Sequence, residues 1–291
     1  MSRILITGAT GNIGVEVIRY LYNIDTSNQI IAGVRNIEKA KVTFKDYPGL
    51  DYVYFDFEDG NTFYKALRGI DRVFLLRPPH ISDVDKYFNP LFLAIKDLGI
   101  NEVVFLSVQG AEKSRIIPHH KIERLIYNYK LDYIFLRPSY FMQNLTTTLI
   151  HDINKKREIV LPSGNAKFNW IDVENIGESA AILLDQFEMY KNQALEITGL
   201  ENESFGEVTS LINSLISKPI RFRNVNVFDF YRIKKRDGME TGMIVVMILL
   251  HFLPRFQREP RISDVYERLT GKKPTGLRAF IERERQQFEK V

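Results

Sequence analysis

A glycine-rich turn near the start of the chain has the composition and spacing of a phosphate site. Residues 4–6 are an apolar run, and Thr7, Gly8, Gly11 and Gly14 follow before an amphipathic segment. In such a strand–turn–helix unit, the first glycine permits the tight turn, the second lets the backbone approach a pyrophosphate, and the third lets the helix pack on the strand. The N–H groups of the first helical turn then face the anion. This spacing predicts that a dinucleotide binds here; the alternative is a glycine turn that binds nothing.

The residues at the end of the second predicted strand indicate which dinucleotide binds. This strand, residues 30–34, ends about twenty residues after Gly14, where an acidic side chain would bind the ribose of NAD. The chain has Arg35 and Asn36 there instead, with Lys39 one turn further on. A guanidinium suits the 2′-phosphate of NADP by its charge and its two-pronged donor geometry. We therefore expect NADP(H) in preference to NAD(H), unless Arg35 is simply a solvated loop residue.

Apolar runs alternate with helical patterns along the first half of the chain, which is typical of a doubly wound parallel sheet. Predicted strands cover residues 3–7, 30–34, 51–55, 72–76, 102–107 and 132–137, and predicted helices cover 13–22, 37–45, 60–67, 83–98 and 119–129. In such a sheet, ligands bind outside the carboxyl ends of the strands. The predicted fold class is therefore α/β, with a doubly wound parallel sheet of the Rossmann type.

Three strand ends carry segments suited to contact a dinucleotide. Asp56 and Phe57 can meet the adenine by hydrogen bonding and packing, and Arg77 with the prolines after it can wall the groove. Ser107 and Gln109 place a hydroxyl and an amide beside the expected nicotinamide. The same residue types also suit ordinary turns, so both interpretations stay open. The predicted cofactor contacts here are Asp56, Phe57, Leu76, Arg77, Pro78, Ser107 and Val108, with Gln109 assigned to the substrate cleft.

The composition favours a cytoplasmic enzyme. The chain has 291 residues, 45% of them hydrophobic, a net charge of +4 and no cysteine. The lack of cysteine excludes disulfides, thiolate nucleophiles and thiolate metal ligands. The apolar run 244–253 is too short to span a bilayer and should form a buried or cleft-lining helix.

The basic runs 155–157 and 232–236 lack the interleaved aromatic residues that are typical of nucleic-acid binding. We expect no nucleic-acid or membrane partner, and no secretion signal because the chain starts directly with a strand.

The second half of the chain predicts a smaller α+β domain. We place the dinucleotide-binding domain at 1–154 and the substrate-cleft domain at 155–291, with room for some later elements to return to the sheet. Predicted strands cover 159–161, 167–171 and 194–198, and predicted helices cover 176–184 and 205–216, the second with Ser204 as N-cap and Glu207 three residues on. Trp170 should anchor the core. The aromatics and methionines of 227–256 either form core or line an apolar pocket.

Three further segments resemble the NmrA-like branch of the atypical short-chain dehydrogenases. They are residues 119–123, 131–138 and 141–144, which read HHKIE, LDYIFLRP and FMQN. The glycine turn, the strand tip at 33–36 and the later segments 168–177 and 266–274 fit the same branch. The resemblance implies an NADP-binding domain with a small C-terminal domain that closes a substrate cleft.

The resemblance also implies roles for individual residues. Members of this branch include quinone and azo-dye reductases, reductases of other small carbonyl or alkene compounds, and non-catalytic sensors of the NADP redox state. It assigns the phosphate reader to Arg35. It assigns the cofactor turn to Thr7, Gly8, Thr10, Gly11, Asn12, Ile13 and Gly14, and the cleft-lining loop to Tyr140, Phe141 and Asn144.

The chain departs from conventional short-chain dehydrogenases at the catalytic pair. Those enzymes use Tyr-x-x-x-Lys, in which the lysine lowers the pKa of the phenol; here the corresponding positions hold His119 and Glu123. These two share a helix face, so we expect Glu123 to orient the imidazole and raise its pKa towards neutrality, which would make His119 a general acid. The alternative is a histidine that only packs or caps. Tyr231 and Lys235 match the spacing by coincidence. Two such side chains without a third ligand do not make a metal site.

Two functional classes remain open. The first is an NADPH-dependent oxidoreductase that reduces a small hydrophobic quinone, carbonyl or azo compound by hydride transfer. The second is a non-catalytic NADP redox sensor that acts as a transcriptional co-regulator of the NmrA type. His119 and the apolar 228–252 region favour the first, because sensing alone needs neither. A homodimer and a regulatory protein partner both remain open.

Overall fold

The computed structural model describes residues 1–290, which form two compact units, each made of three separate segments. Unit 1 contains Met1–Pro138, Val173–Ile197 and Val265–Gly271. Unit 2 contains Ser139–Asp172, Thr198–Asp264 and the chain from Lys272 onward. Neither unit is therefore a continuous stretch of sequence.

The strands and helices are numbered in chain order. The strands are β1 (Arg3–Thr7), β2 (Gln29–Val34), β3 (Asp51–Tyr54), β4 (Arg72–Leu76), β5 (Glu102–Leu106), β6 (Asp132–Pro138), β7 (Tyr140–Phe141), β8 (Glu158–Leu161), β9 (Phe168–Ile171), β10 (Gln193–Ile197), β11 (Asn202–Glu203) and β12 (Arg221–Asn224). The helices are α1 (Asn12–Asn23), α2 (Ile37–Thr43), α3 (Phe63–Leu67), α4 (Val84–Asp97), α5 (Pro118–Asn128), α6 (Ile150–Lys156), α7 (Val173–Asp185), α8 (Phe187–Tyr190), α9 (Phe205–Asn213), α10 (Val227–Arg236), α11 (Thr241–Phe252), α12 (Val265–Thr270), α13 (Leu277–Arg283) and α14 (Arg285–Glu289).

Unit 1 is built on a seven-stranded parallel sheet in the order β10-β6-β5-β4-β1-β2-β3. All six strands predicted for the first half of the chain are present, and the predicted α/β doubly wound fold is confirmed. The strand order reverses between β1 and β4, so the crevice in which such sheets bind ligands opens at the carboxyl ends of these strands. One large cluster of buried apolar side chains packs against the sheet, and phenylalanines of β5, β6 and α4 belong to it.

Strand β10 and helix α7 lie beyond residue 155 yet belong to unit 1. Strand β10 pairs in parallel with β6, with Gln193 opposite Ile134. Helix α7 packs on α1 at Gly177, where a Cβ atom would lie 2.4 Å from the Cβ of Glu16. Some elements after residue 154 were expected to return to the sheet, and α7 and β10 do so. The observed division of the chain therefore differs from the expected boundary at 154/155.

The boundary moves forward because residues 139–154 pack in unit 2. Met142, Leu145 and Ile153 are fully buried in its core together with Trp170. The indole of Trp170 donates a hydrogen bond to the backbone oxygen of Glu203 at 2.9 Å, so it anchors the core as expected. The strands of unit 2 form two small sheets, β11-β9-β7 and β12-β8, which gives the predicted smaller α+β architecture.

Helix α9 has the predicted N-terminus but ends earlier than expected. The hydroxyl of Ser204 accepts from the backbone N–H of Glu207, and the Glu207 carboxylate accepts from the Ser204 N–H at 2.7 Å, which completes a capping box. The helix ends at Asn213 because the Asn213 amide bonds both the N–H and the carbonyl of Ile220, each at 2.8 Å. The chain is thereby turned out of the helix before residue 216.

Helix α11 is apolar all round but buries only one stripe. Ile244, Met247 and His251 are buried, whereas Val246 and Leu249 on other faces are 52% and 51% exposed. The expectation of a buried helix is therefore correct for one face only. None of the helices in residues 1–290 combines the length and hydropathy needed to cross a bilayer.

Candidate functional site

The glycine turn lies at the carboxyl end of β1, beside the point where the strand order reverses. Gly8 has a φ of +62°, a left-handed conformation that favours glycine, and its carbonyl accepts from the Gly11 N–H at 2.9 Å. Helix α1 then begins after Gly11 without a side-chain cap and without an acidic residue in its first turn. Its first N–H groups are therefore left for an anion.

The spacing of the glycines is required by close backbone contacts. A Cβ at Gly14 would lie 2.3 Å from the Gly8 oxygen, so only glycine lets α1 start this near β1. Thr10, Gly11 and Asn12 are exposed at the mouth of the turn, whereas Ile13 is buried beneath it. The exposed backbone of the turn is thus held in place from below.

Thr7 contributes to the turn in a different way from the one expected. Its hydroxyl donates to the Phe74 oxygen and accepts from the Leu76 N–H, both at 2.9 Å, and the residue is fully buried. Thr7 therefore ties β1 to β4 and fixes the turn, and its side chain does not face a ligand.

Arg35 and its neighbours lie at the end of β2. The Asn36 side chain caps α2 by accepting from the Lys39 N–H at 2.9 Å. Arg35 and Lys39 are both exposed. Register pairs Thr7 with Gly33, so this end of β2 is at the same edge of the sheet as the glycine turn.

The residues after β3 serve local structure more than the sequence suggested. The Phe57 ring is 6% exposed and packs in the core against Phe55 and Phe88, with centroids 4.9 and 5.3 Å away. Asp56 accepts from the Glu58 N–H at 3.0 Å. The predicted packing of the Phe57 ring on an adenine is corrected, because the aromatic core holds that ring.

Ser107 is also turned inward. Its hydroxyl is buried and donates to Oε1 of Glu123 at 2.6 Å. The following residues Val108 and Gln109 are half-buried, and the Gln109 amide donates to Glu196 at 3.1 Å. The expectation that the Ser107 hydroxyl faces a nicotinamide is therefore corrected, since Glu123 engages it from beneath.

Glu123 belongs to a buried ion pair that sequence reasoning missed. Its carboxylate accepts from Nε and Nη2 of Arg137 at 2.9 and 2.7 Å, and Nη1 of the same guanidinium reaches Glu112 at 2.9 Å. The predicted pairing of Glu123 with His119 is wrong, because Arg137 on β6 offers the carboxylate a two-pronged partner. The signal for it was an arginine inside the apolar run of β6, which requires a buried counter-charge.

His119 has the opposite electrostatics from those expected. Its ring stacks on Phe105 with centroids 6.1 Å apart. Burial, and then the positive charge of Arg77, lower the pKa of the imidazole to about 3. His119 is therefore neutral at pH 7, where it can donate or accept a hydrogen bond but cannot act as a strong acid.

Leu76, Arg77 and Pro78 form the segment that leaves β4. The Leu76 side chain lies against Gly8, where a Cβ would be 3.2 Å from Cδ2 of the leucine. The guanidinium of Arg77 turns back and donates to the carbonyl of Pro78 at 2.9 Å. Burial lowers the pKa of Arg77 to about 10, which leaves it charged at neutral pH.

Tyr140, Phe141 and Asn144 belong to unit 2. The Tyr140 hydroxyl bonds Nε2 of His251 at 2.9 Å, and Nδ1 of His251 donates to the Met247 carbonyl at 2.7 Å. Since a carbonyl only accepts, Nδ1 carries the hydrogen and Nε2 accepts from the phenol. The Asn144 side chain bonds the same hydroxyl, which lowers the pKa of Tyr140, but burial outweighs it and raises that pKa overall.

His251 was hidden from sequence reasoning within an apolar run. Burial lowers the pKa of its imidazole to about 4. Phe141 pairs with Ile171 between β7 and β9, which fixes the backbone of this segment in the small sheet.

Unit 2 also contains a groove lined by charged side chains and an exposed Tyr–Lys pair. A groove of about 820 Å³ is bordered by Lys167, Glu203 and Glu207, but Lys167 already bridges the two carboxylates. Tyr231 and Lys235 are exposed on α10, and Lys235 donates to the Thr241 hydroxyl at 3.2 Å. Residues 1–290 contain no group of three or more side chains suited to hold a metal ion.

Comparison with known proteins places the chain in a family. It is 28% identical over 279 residues to Prestalk A differentiation protein A of Dictyostelium discoideum, which covers 95% of this chain and 90% of that protein. It is 26% identical to the NAD(P)H azoreductase of Xenophilus azovorans, over 92% of this chain and 93% of that one. The structure of an NADPH-dependent quinone oxidoreductase from Escherichia coli complexed with NADPH matches with a TM-score of 0.83 at 20% identity, covering 96% and 99% of the two chains. The NmrA-like family model matches residues 1–281, and the chain therefore belongs to the NmrA-like family, as the sequence motifs predicted.

Proposed function

We propose that this protein is an NADP(H)-dependent oxidoreductase that reduces a small hydrophobic quinone, carbonyl or azo compound. The observation that carries the proposal is the turn after β1, where Gly14 admits no side chain and α1 begins without a cap or an acidic residue. These features fit a pyrophosphate, which needs close backbone approach and free N–H groups. When bound there, the reduced nicotinamide supplies the hydride.

Arg35 supports a preference for NADP(H) over NAD(H). Its guanidinium is exposed at the edge of the sheet that holds the glycine turn, and Lys39 adds a second exposed cation in the first turn of α2. A 2′-phosphate would give this guanidinium a charge-assisted, two-pronged partner.

The state of His119 narrows the reaction class. A neutral imidazole does not release a proton readily, so chemistry that depends on a strong protein acid is disfavoured. Hydride transfer to a quinone forms an oxyanion that water can protonate, and the imidazole N–H can donate a hydrogen bond to it. Quinone reduction is therefore favoured over reduction of a simple ketone. The names of the azoreductase and the quinone oxidoreductase reported above support the same substrate class.

A second candidate is a non-catalytic NADP redox sensor. It is favoured by the low pKa of His119, which makes the imidazole a poor proton donor at neutral pH, and by the engagement of Glu123 with Arg137 instead of His119. The two candidates share the cofactor site and differ in turnover.

Cofactor binding tests the shared part of both candidates. Arg35→Glu should weaken NADPH binding by about 2 kcal/mol while sparing NADH, because a charge-assisted pair becomes a repulsion. Nucleotide fluorescence titration measures both affinities, and Lys45→Glu, an exposed charge reversal just beyond α2, is the matched control. Equal losses for the two nucleotides would show that Arg35 binds no phosphate.

Gly11→Val should abolish binding of both NADPH and NADH. Retained affinity in this variant would mean that the glycine turn is not the nucleotide site.

Turnover separates the candidates. NADPH oxidation is followed against 1,4-naphthoquinone and a neutral azo dye with the wild-type protein saturated with cofactor. Turnover above the uncatalysed rate supports the oxidoreductase. Tight NADPH binding without turnover of either compound supports the sensor.

A further inference from the structure

The guanidinium of Arg77 is fixed on one side and unfilled on the other. Its Nη1 donates to the carbonyl oxygens of Pro78, Pro79 and Ile81 at 2.9, 3.1 and 2.6 Å. Its Nε is buried, and no hydrogen-bond partner for it exists within residues 1–290. Every hydrogen bond that Arg77 forms in this part of the chain uses Nη1, so Nη2 is unfilled as well.

The side of the guanidinium that carries Nε and Nη2, here called the unfilled edge, is the one with which arginine binds oxyanions. The N–H bonds of Nε and Nη2 are parallel and can donate to two oxygens of one carboxylate, sulfonate or phosphate. Nε is shielded from solvent, so neither the described chain nor bulk water satisfies its N–H group. In the described chain, burial alone perturbs the pKa of Arg77, with no carboxylate contributing. The loop therefore holds the charged guanidinium in place but supplies no acceptor for its Nε and Nη2 donors.

The strand register places the backbone of Arg77 at the sheet edge that holds the glycine turn. Leu76 is opposite Leu106 on β5, and on its other side it touches Gly8 of the glycine turn. Arg77, one residue further on, thus leaves the sheet between the cofactor turn and the end of β5. His119 stacks on Phe105, which precedes Leu106, and the charge of Arg77 acts on its imidazole. The Arg77 guanidinium and the neutral imidazole therefore lie near each other at this edge of the sheet.

We propose that Arg77 is a substrate-binding residue and that the preferred substrates carry a carboxylate or sulfonate beside the reducible group. Nε and Nη2 bind two oxygens of that anion, while the three loop carbonyls hold the guanidinium in position. The proposal rests on the proposed function, since it names the substrate class of the same site. A phosphate of the cofactor has the same chemistry, so the experiment must separate the two sources.

Direct binding of a matched pair of probes tests the proposal without turnover. The probes are 2-naphthalenesulfonate and its neutral near-isostere 2-naphthalenesulfonamide, titrated by calorimetry with and without NADP⁺. The wild type should bind the sulfonate more tightly than the sulfonamide. Arg77→Gln should weaken the sulfonate by about tenfold or more and leave the sulfonamide unchanged, because charge-assisted two-pronged bonds are lost. Arg77→Lys, which keeps the charge but loses the fork, should give an intermediate loss.

Kinetics with a charged and a neutral quinone give an independent readout. Arg77→Gln should raise the KM for 1,4-naphthoquinone-2-sulfonate and leave the KM for 1,4-naphthoquinone within about twofold. Arg115→Gln is the matched control, because Arg115 is an exposed arginine in the loop that precedes α5. It should change neither KM, and thermal melting should show that all three variants are folded.

Three results would overturn the proposal. Equal losses for the charged and neutral probes in Arg77→Gln would mean that Arg77 only staples its loop. A tenfold weakening of NADPH with an unchanged probe ratio would assign the anion to the cofactor. A wild type that does not prefer the sulfonate would exclude an anionic substrate. If the wild type binds no NADP(H), the proposed function fails, and the titrations without NADP⁺ still decide the role of Arg77.

Discussion

The buried Glu123–Arg137 pair joins α5 to the end of β6, and Ser107 adds a link to the end of β5. Glu123 is 3% exposed and Arg137 is 9% exposed, so both charges are removed from water and each depends on the other. Removal of one partner from such a pair leaves an uncompensated buried charge.

Glu123→Gln should therefore destabilise the protein by about 3 kcal/mol, because Gln keeps the shape of the side chain but leaves the Arg137 charge poorly balanced. Glu112→Gln is the matched control on the same guanidinium. The Glu112 side chain is 39% exposed, so its loss should cost under about 1 kcal/mol. Urea unfolding measures both. Similar small losses would show that the buried charge pair is dispensable.

For individual residues, the sequence predicted the glycine turn well but the partners and protonation of His119 and Glu123 poorly. Gly8, Gly11 and Gly14 act through backbone contacts a few residues apart, which spacing reveals directly. Glu123 was paired with His119 because helical spacing makes them neighbours. Its actual partner, Arg137, is 14 residues away on a strand, and only the tertiary fold brings the two together.

Helix α11 depends on one polar contact within its buried stripe. His251 is 2% exposed, accepts from Tyr140 and donates to the backbone of Met247. The bond from Tyr140 requires the neutral imidazole, since protonation of Nε2 would remove the acceptor, whereas the bond to Met247 persists in either form.

Acidification should therefore weaken the fold through His251. Its pKa is lowered from 6.5 to about 4, so the folded state takes up this proton later than the unfolded state does. The free energy of unfolding therefore contains a contribution from neutral His251 that is fully present above pH 6.5. This contribution is lost as the pH falls towards 4, by up to about 1.4 kcal/mol per pH unit. His119 adds a loss of the same sign, because its pKa is also lowered.

His251→Gln should remove one of these two contributions and flatten the dependence of the unfolding free energy on pH between 5 and 6.5. Urea titrations at several pH values measure the slope, which is informative even if the variant is less stable throughout. His151→Gln is the control, since that side chain is 60% exposed on α6 and its loss should leave the slope unchanged. An unaltered slope for His251→Gln would contradict the assignment.

Elements that are marked by nearby residues, such as a helix cap or an apolar run, were predicted from the sequence. The position of an element in a sheet depends on distant partners and was not predicted. The capping box at Ser204 and Glu207 gave the start of α9, and the six strands of the first half matched within one or two residues. Strand β10 was recognised as a strand, but its neighbour β6 is 55 residues or more earlier in the sequence, as for Gln193 and Ile134. Periodicity carries no information about which sheet edge accepts a strand.

The two units are interlaced along the sequence, and this has consequences for any truncation. Helix α7 and strand β10 complete unit 1 from beyond residue 172, and α12 adds the last segment. A fragment that stops near residue 154 would expose the face of α1 that α7 covers, including the close approach at Gly177.

We therefore expect residues 1–154 not to fold cooperatively on their own, whereas residues 1–197, which retain α7 and β10, should recover part of the native structure. Circular dichroism and thermal melting compare the two fragments with the full chain, and NADPH titration reports the glycine turn. A cooperative melt of the 1–154 fragment would contradict this expectation and restore the simple two-domain division.

The position of Val265–Gly271 in unit 1 also affects how the protein emerges from the ribosome. Most multidomain chains complete their N-terminal domain while later parts are still being translated. Here unit 1 waits for residues 265–271, so the chain must have left the exit tunnel as far as Gly271 before this unit can be completed. Until residues 173–197 have emerged, the edge of β6 and the side of α1 that α7 covers would be exposed to chaperones.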